Sequence, residues 1–479
     1  MLFRKVPNKK TMKHLFKILP LLFFYIFFSC EEDQFNNQSD AALRFSTDTI
    51  IFDTVFTTIG SSTQKLMVKN PYSKNLRISS IQLAGGESSN YRINIDGHSG
   101  YVLNNIEIRS KDSLYIFIEV NIDPTNNNLP LVVKDSIQFY TNENYQDVKL
   151  IAWGQDVHII NKGIVQTETW INDKPYLIYD YLFIDTNSTL TIDPGVKLHF
   201  HNHSRMYVAG TLIANGTFDN PILFSGDRLE DLYEDIPGQW DGIWLLPGSK
   251  DHVLQFTEIR NAIIGIQVDT LANLDKPTLL LSNCKIENMT SAGLFAQGST
   301  VEANNTLIAN CGQFAVALTI GGSYEFYHCT FANYWGYSTR KTPSILLNNY
   351  YIDIYGTTQV RPLNKAIFGN CIIYGNKESE IILDENTSAE FNFKFDHSLI
   401  KVYTDFNTSN TDQFENIIKN ENPKFKDPYN YNYELDTLSI AKDYGKPEIG
   451  LLFPLDIKLD NRTMDAGPDL GAFERIETN

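Results

Sequence analysis

The densest charge in the chain is a run of carboxylates, Asp227, Glu230, Asp231, Glu234, Asp235 and Asp241, set around Trp240 and Trp244. Hard oxygen ligands at this density are what Ca²⁺ takes, with Asp231, Asp235 and Asp241 as the candidate ligands. Their spacing matches no EF-hand-type loop, and a solvated charged loop is the competing reading. A second concentration is aromatic and basic and lies between Tyr334 and Asn364. Flat rings stack on sugar faces, and basic groups pair with uronate or sulfate. Trp335, Tyr337, Arg340, Lys341, Tyr350, Tyr351 and Arg361 therefore form a candidate glycan-binding set, although tyrosine-rich loops also pack flat on their own scaffold. His199 and His201 alternate with Leu198 and Phe200, which points both out of one strand, with His203 just beyond. A His-x-His pair can hold Zn²⁺ or Cu²⁺, yet no Asp, Glu or Cys stands beside this one in sequence. No catalytic residue can be assigned, and Ca²⁺ is the one cofactor the pattern suggests.

The elements that must carry these groups repeat. Thr257, Cys284, Thr306, Cys329, Cys371 and Ser398 form a column of small residues. Two residues later stand Ile259, Ile286, Ile308, Phe331, Ile373 and Ile400; three residues earlier stand Leu254, Leu281, Ala303, Phe326, Phe368 and Phe395. Asn261, Asn288, Asn310 and Asn333 follow four residues after the first four small positions. Intervals of 22 to 27 residues, broken by one insertion, are the length of one coil of a solenoid. Upstream, Thr189–Leu198, Gly210–Ala214 and Pro221–Phe224 read as short strands closed by Gly and Asn corners. From about residue 190 to 400 the chain resembles the right-handed parallel β-helices of the pectate-lyase-like fold. In such a fold each rung lies about 4.8 Å above the last, apolar columns fill the interior, and Asn tolerates the left-handed corner.

That register also decides the cysteines. Cys284 and Cys329 share a column but have the Thr306 rung between them, which puts them out of disulfide reach. Cys329 and Cys371 become neighbours if the insertion loops out, and theirs is the one bridge worth testing. His328 and His397 each precede the small column by one residue, which places them on the outer face. The resemblance further implies polysaccharide lyases and glycosidases as relatives in fold. Their sites call for an Asp-Asp pair with a Gly-His-Gly turn, or a Ca²⁺-binding acidic cluster with a base; the chain contains neither Asp-Asp nor Gly-His-Gly. The stretch from Asn422 to Glu474 resembles the C-terminal tail of exported β-helix proteins, where it caps the coil, so Asp469 and Glu474 read as structural.

Before the coil, residues 43–157 show short alternating strands, such as Leu114–Val120, with turns at Asn70–Ser73, Gly85–Gly86 and Pro124–Asn127. This stretch resembles immunoglobulin-like modules that sit between an anchor and a larger domain. The chain opens with Arg4, Lys5, Lys9, Lys10, Lys13 and Lys17, then an apolar run to Phe28, then Ser29-Cys30. The order is that of a secretory signal, and Phe27-Phe28-Ser29-Cys30 resembles a bacterial lipobox with Cys30 as the lipidated residue. Glu31, Glu32 and Asp33 resemble the surface-export signal of some Gram-negative lipoproteins; a plain solvated linker would look the same. The net charge of −17 becomes more negative once the basic leader is removed, and such a surface excludes nucleic acid as a partner.

The expectation is therefore an all-β chain: signal peptide 1–29, lipidated cysteine and tether 30–42, β-sandwich 43–157, right-handed parallel β-helix 158–420 and C-terminal strand or cap 421–479. Function is expected at the outer membrane or cell surface, with membrane contact through lipid on Cys30. Glycan or matrix binding leads; a polysaccharide lyase or hydrolase, and an adhesin or envelope-assembly component contacting another protein, are the alternatives.

Overall fold

A computed structural model describes residues 34–124, 131–269 and 276–476. The chain divides into two compact units after Gln155. Cys30, the acidic residues that follow it and the Thr125–Asn127 turn lie outside the described residues. Among the described residues no helix is long and apolar enough to cross a membrane.

The first unit is a β-sandwich. One sheet runs Arg44–Phe45, Gln64–Lys69, Ser113–Val120, Tyr91–Ile95, His98–Gly100; the other runs Thr49–Phe56, Asn144–Gln155, Leu131–Thr141, Leu76–Leu83, Val102–Ile108. Pairing is antiparallel except between Asn144–Gln155 and Thr49–Phe56. Period-two alternation decides the faces: Ile116, Ile118 and Val120 are buried while Tyr115 and Phe117 are exposed. The inward set makes one core with Phe52, Leu66, Tyr91, Phe139 and Leu150.

The second unit is a right-handed parallel β-helix, and the counted columns are its rungs. Leu254, Leu281, Ala303, Phe326, Phe368 and Phe395 pair one above another, and the column extends upward through Trp170, Ile192 and Ala214 and downward to Phe414. Ile259, Ile286, Ile308, Phe331, Ile373 and Ile400 do the same, with Phe224 above them. In-register stacking brings like groups together: the Phe326, Phe368 and Phe395 rings stack at 5.1 and 4.9 Å.

Corners follow the same repetition. Asn261, Asn288 and Asn310 sit at φ 62, 64 and 53°, as the left-handed corner requires; Asn333 does not, and its side-chain oxygen instead accepts from the Cys311 N–H at 3.1 Å. A second left-handed column, one residue before the small one, runs Asn283, Asn305, His328, Asn370, His397 and Asn416. His328 and His397, expected on the outer face, are thus corner residues. His328 is fully buried, its Nε2 accepts from the Asn370 amide at 3.1 Å, and burial holds its pKa well below the usual histidine value. In His397, Nδ1 meets the Asp396 carboxylate at 2.7 Å and Nε2 meets the Asn416 amide at 3.0 Å.

The C-terminal segment covers a flank of the coil, where the sequence had suggested an end cap. Phe425, Tyr433, Leu435, Leu470, Ala472 and Phe473 pack on the outward residues Leu307, Ala309, Ala332, Ile372, Leu399 and Ile418, forming a separate apolar core. The reason lies in the rungs: from Leu307 onward the outward positions of this face are mostly apolar and require a cover, and Thr330 among them accepts the Ala472 N–H at 2.9 Å. Arg462 ties the segment down, donating to Glu474 and to Asn305 at 3.0 Å each and to the Gly471 carbonyl at 3.1 Å. Asp469 accepts the Asp443 and Arg475 backbone N–H groups, so it and Glu474 have structural roles here.

Cys284, Cys311, Cys329 and Cys371 are buried free thiols. Cys329 and Cys371 do stand on adjacent rungs, but their sulfurs donate to carbonyls such as Tyr327 O (3.4 Å) and Gly369 O (3.3 Å). Burial pushes Cys284 and Cys311 up to about 12. A thiol-reactive dye should therefore read almost nothing on the native non-reduced chain and all four of these thiols after unfolding; two missing thiols would reveal a Cys329–Cys371 bridge. Phe368→Ala, which empties the centre of the aromatic stack, should cost about 3–5 kcal/mol in denaturant unfolding.

Candidate functional site

Two clefts open on the flank that carries the C-terminal segment. The first, about 340 Å³, lies under the acidic loop. Its floor is outward strand positions, His199, Ser225, Glu258 and Arg260, and its roof is Arg228, Tyr233 and Glu234. Loop and floor are tied together: the Asn261 amide donates to Glu234 O at 2.7 Å, and Gln239 donates to Tyr233 O at 2.6 Å. Arg228 forks onto Glu230 and lies 3.8 Å over the Tyr233 ring. His199 is buried against Ser225 Oγ (3.0 Å) and Gly226 O (3.1 Å), and burial pushes it down to about 4, so it is neutral.

The carboxylates of this region divide by environment. Glu258 is ion-paired with Arg260 (3.0 Å) and Lys285 (3.1 Å). Glu287 lies opposite Arg260 on the next rung and is 6% exposed. Burial first, with Glu258 and Asp235 opposing its charge, pushes Glu287 up to about 7 against the attraction of Arg260 and Lys285. The candidate Ca²⁺ ligands are not gathered. Asp231 sits exposed on the single turn Asp231–Tyr233, Asp235 is half-buried at the edge of the roof, and Asp241 pairs with Arg205 at 3.2 Å. Among the described residues no three His, Cys, Asp or Glu side chains converge to hold a metal ion. The histidine run also has carboxylate neighbours that were not apparent in sequence: His201 meets Asp227 at 2.7 Å and His203 lies 3.9 Å from Asp241.

The second cleft, about 510 Å³, forms where the last rungs meet the C-terminal segment. Tyr334, Tyr374 and Tyr429 wall it, with Lys401 and Lys424 on its surface. Tyr334 and Tyr429 meet edge to face at 5.5 Å. The Lys401 ammonium lies 4.7 Å over the Tyr374 ring and donates to Gly375 O at 2.7 Å; its burial lowers its pKa from the ordinary lysine value. A volume in the range of small-ligand sites, aromatic walls and a few fixed polar groups are the makings of a sugar site.

The insertion is built differently from a single loop. Ile345–Asn348 is a rung strand stacked between Val316–Leu318 and Ile381–Asp384, and Tyr350–Ile352 with Thr358–Val360 makes a small antiparallel hairpin. Its candidate residues consequently scatter. Trp335 is buried and donates to Ser338 Oγ at 3.0 Å. Arg340 is buried in an ion pair with Glu380 at 2.6 Å and donates to the Asn376 side-chain oxygen at 2.8 Å, so it supports a wall of the second cleft without facing a ligand. Tyr337 reaches the acidic loop, donating to Asp235 O at 2.5 Å, and Tyr350 donates to Asp384 at 3.0 Å. Lys341, Tyr351 and Arg361 are exposed and are not drawn together with the others. Sequence reasoning missed Tyr374, Lys401, Lys424 and Tyr429. Two stand in rungs and two in the tail, and only the tertiary fold joins them.

A family model described as a right-handed beta helix region matches residues 264–420. No curated protein matches. Among solved structures, a family 123 glycoside hydrolase from Clostridium perfringens is 11% identical over 23% of this chain and 25% of that one (TM-score 0.17). The E. coli chaperone DraB is 10% identical over 23% and 54% (TM-score 0.17). The catalytic unit of a GH87 alpha-1,3-glucanase from Streptomyces thermodiastaticus is 10% identical over 74% and 89% (TM-score 0.23). This chain spans about a quarter of the first of these and about half of the second. Likeness this loose assigns no activity.

Two measurements test the electrostatics. Removing Arg340 leaves the Glu380 carboxylate buried without its ion-pair partner, so Arg340→Met should lose about 3–5 kcal/mol of unfolding free energy. Glu287 has a folded pKa raised above its ordinary 4.5 to about 7, so its contribution to stability is full below about 4.5 and is lost as pH rises through 7. Glu287→Gln should match the wild type at pH 4.5 and be the more stable of the two at pH 8; equal denaturation midpoints at both would contradict the burial argument.

Proposed function

We propose that this chain is a lipid-anchored envelope protein whose β-helix binds glycan in the tyrosine–lysine cleft. The observation that carries the reading is the convergence of Tyr334, Tyr374 and Tyr429 with Lys401 around about 510 Å³. Rings supply apolar faces to sugar rings, and the ammonium and backbone carbonyls fix orientation. The sandwich, read as an immunoglobulin-like module, acts as a spacer between Cys30 and this surface. Two acyl chains on Cys30 would hold the protein on a bilayer without any spanning helix.

A second reading places hydrolysis or elimination of a polysaccharide in the acidic cleft. It is favoured by one observation: Glu258, ion-paired with Arg260 and Lys285, lies one rung from a buried Glu287 raised to about 7, so two carboxylates of one face stand in different environments, as in acid–base catalysis. An adhesin or envelope-assembly role would instead leave both clefts without glycan.

Screening the intact chain on a glycan array tests the leading reading. Tyr374→Ala combined with Tyr429→Ala should weaken the best array ligand at least tenfold with an unchanged melting temperature; full retention of binding would contradict it. New reducing ends or unsaturated products that vanish in Glu287→Gln would move the assignment to catalysis. Cys30→Ser should shift the protein from the membrane to the soluble fraction in its own host.

A further inference from the structure

A different outward face of the coil carries a ribbon separate from both clefts. Phe183, Tyr207, Trp244, Gln267 and Phe295 pair in register on five consecutive rungs. At about 4.8 Å per rung the ribbon runs about 19 Å along the helix axis. All five side chains point outward, are half-buried, and belong to none of the apolar cores of the molecule.

The rings are held in place. Trp244 Nε1 donates to Asp269 at 2.8 Å, and the Gln267 amide donates to the same carboxylate oxygen at 2.7 Å. Arg205 lies 5.8 Å from the Tyr207 ring and 5.5 Å from the Trp244 ring, with its guanidinium paired to Asp241. Gly242 permits the close approach beneath: at φ 113° it brings its strand so near the next that a Cβ would lie 1.7 Å from Ile264 O. Ring positions fixed before binding lower the ordering cost that a ligand must overcome.

The flank of the ribbon selects among occupants. Two residues beyond the ribbon on the same rungs stand Asp185, Ala209, Leu246, Asp269 and Gln297, and the column continues past its last rung through Thr319, Asn348 and Asp384. Asp185 and Asp269 make this flank acidic and rich in acceptors, and on the other side the Arg205 charge is neutralised by Asp241. An anionic polymer is repelled there, and a second copy of the chain would set like charges against each other. A neutral polyol brings hydroxyl donors to the flank and apolar ring faces to the aromatics.

We propose that this ribbon takes an extended, uncharged polysaccharide strand laid along the helix axis, one sugar residue to roughly one rung. It is a second contact, independent of the tyrosine–lysine cleft, and suits an insoluble or crystalline neutral glycan because the rings repeat in register along the coil axis.

Sedimentation of the intact chain with cellulose, curdlan, amylose and chitin, and with calcium pectate gel as the acidic comparison, tests it. At least one neutral polymer should carry the chain down and pectate should not do so through the ribbon. Tyr207→Ala combined with Trp244→Ala should reduce neutral-polymer retention at least tenfold while the melting temperature stays within a few degrees, and Trp244→Phe should retain most of it. Absence of retention on every neutral polymer overturns the proposal, as does undiminished retention in the double variant. Pectate retention lost in that variant, or a dimer lost in it, would equally overturn it by assigning the ribbon to an acidic glycan or to a second copy.

Discussion

Everything in the second unit follows from one constraint: each residue of a rung must sit directly over its counterpart, about 4.8 Å away, because the parallel ladder leaves no freedom of register. A single rung cannot bury its own apolar side chains, so stability is shared between neighbours. The constraint explains the phenylalanine stack from Phe326 to Phe395, the buried thiols beneath it, and the left-handed corners taken by Asn and His. It also fixes what the outside of the coil can present. An outward column becomes a stripe of one chemical character, and the protein must either cover it or use it.

Both solutions occur. From Leu307 to Ile418 the outward column is apolar but for Thr330, and the C-terminal segment covers it, secured by the buried Arg462–Glu474 pair. Above it the outward positions turn polar, at Glu258, Arg260 and Glu287, and the acidic loop roofs them without filling the space. The tyrosine–lysine cleft lies at the margin of the cover, where rung residues Tyr374 and Lys401 face tail residues Lys424 and Tyr429. Binding surfaces thus form where the cover is incomplete.

The sequence made the coil legible because repetition is counted over six rungs, and one register error would have turned every interior residue outward. The sandwich was legible for the same reason on a smaller scale, in the alternation of Ile116, Ile118 and Val120 with Tyr115 and Phe117. Site residues were harder to see. Arg340 looks like any exposed cation until Glu380, forty residues away, is found buried beside it. His328 obeyed its register, yet nothing in its neighbours announced that the tail would bury it. Tyr374 and Tyr429 lie too far apart in the chain for any motif to join them. Periodicity reports which way a residue points from its strand; it does not report what will later pack on it.

The central claim is that ligand contact occurs where the tail leaves the last rungs uncovered. Hydrogen exchange of the full chain, free and saturated with oligosaccharide, tests it most directly. Slowed exchange at residues 372–376, 400–402 and 422–436 is the expected result. Unchanged exchange there, with slowing in the 350–360 hairpin or in the sandwich, would contradict it.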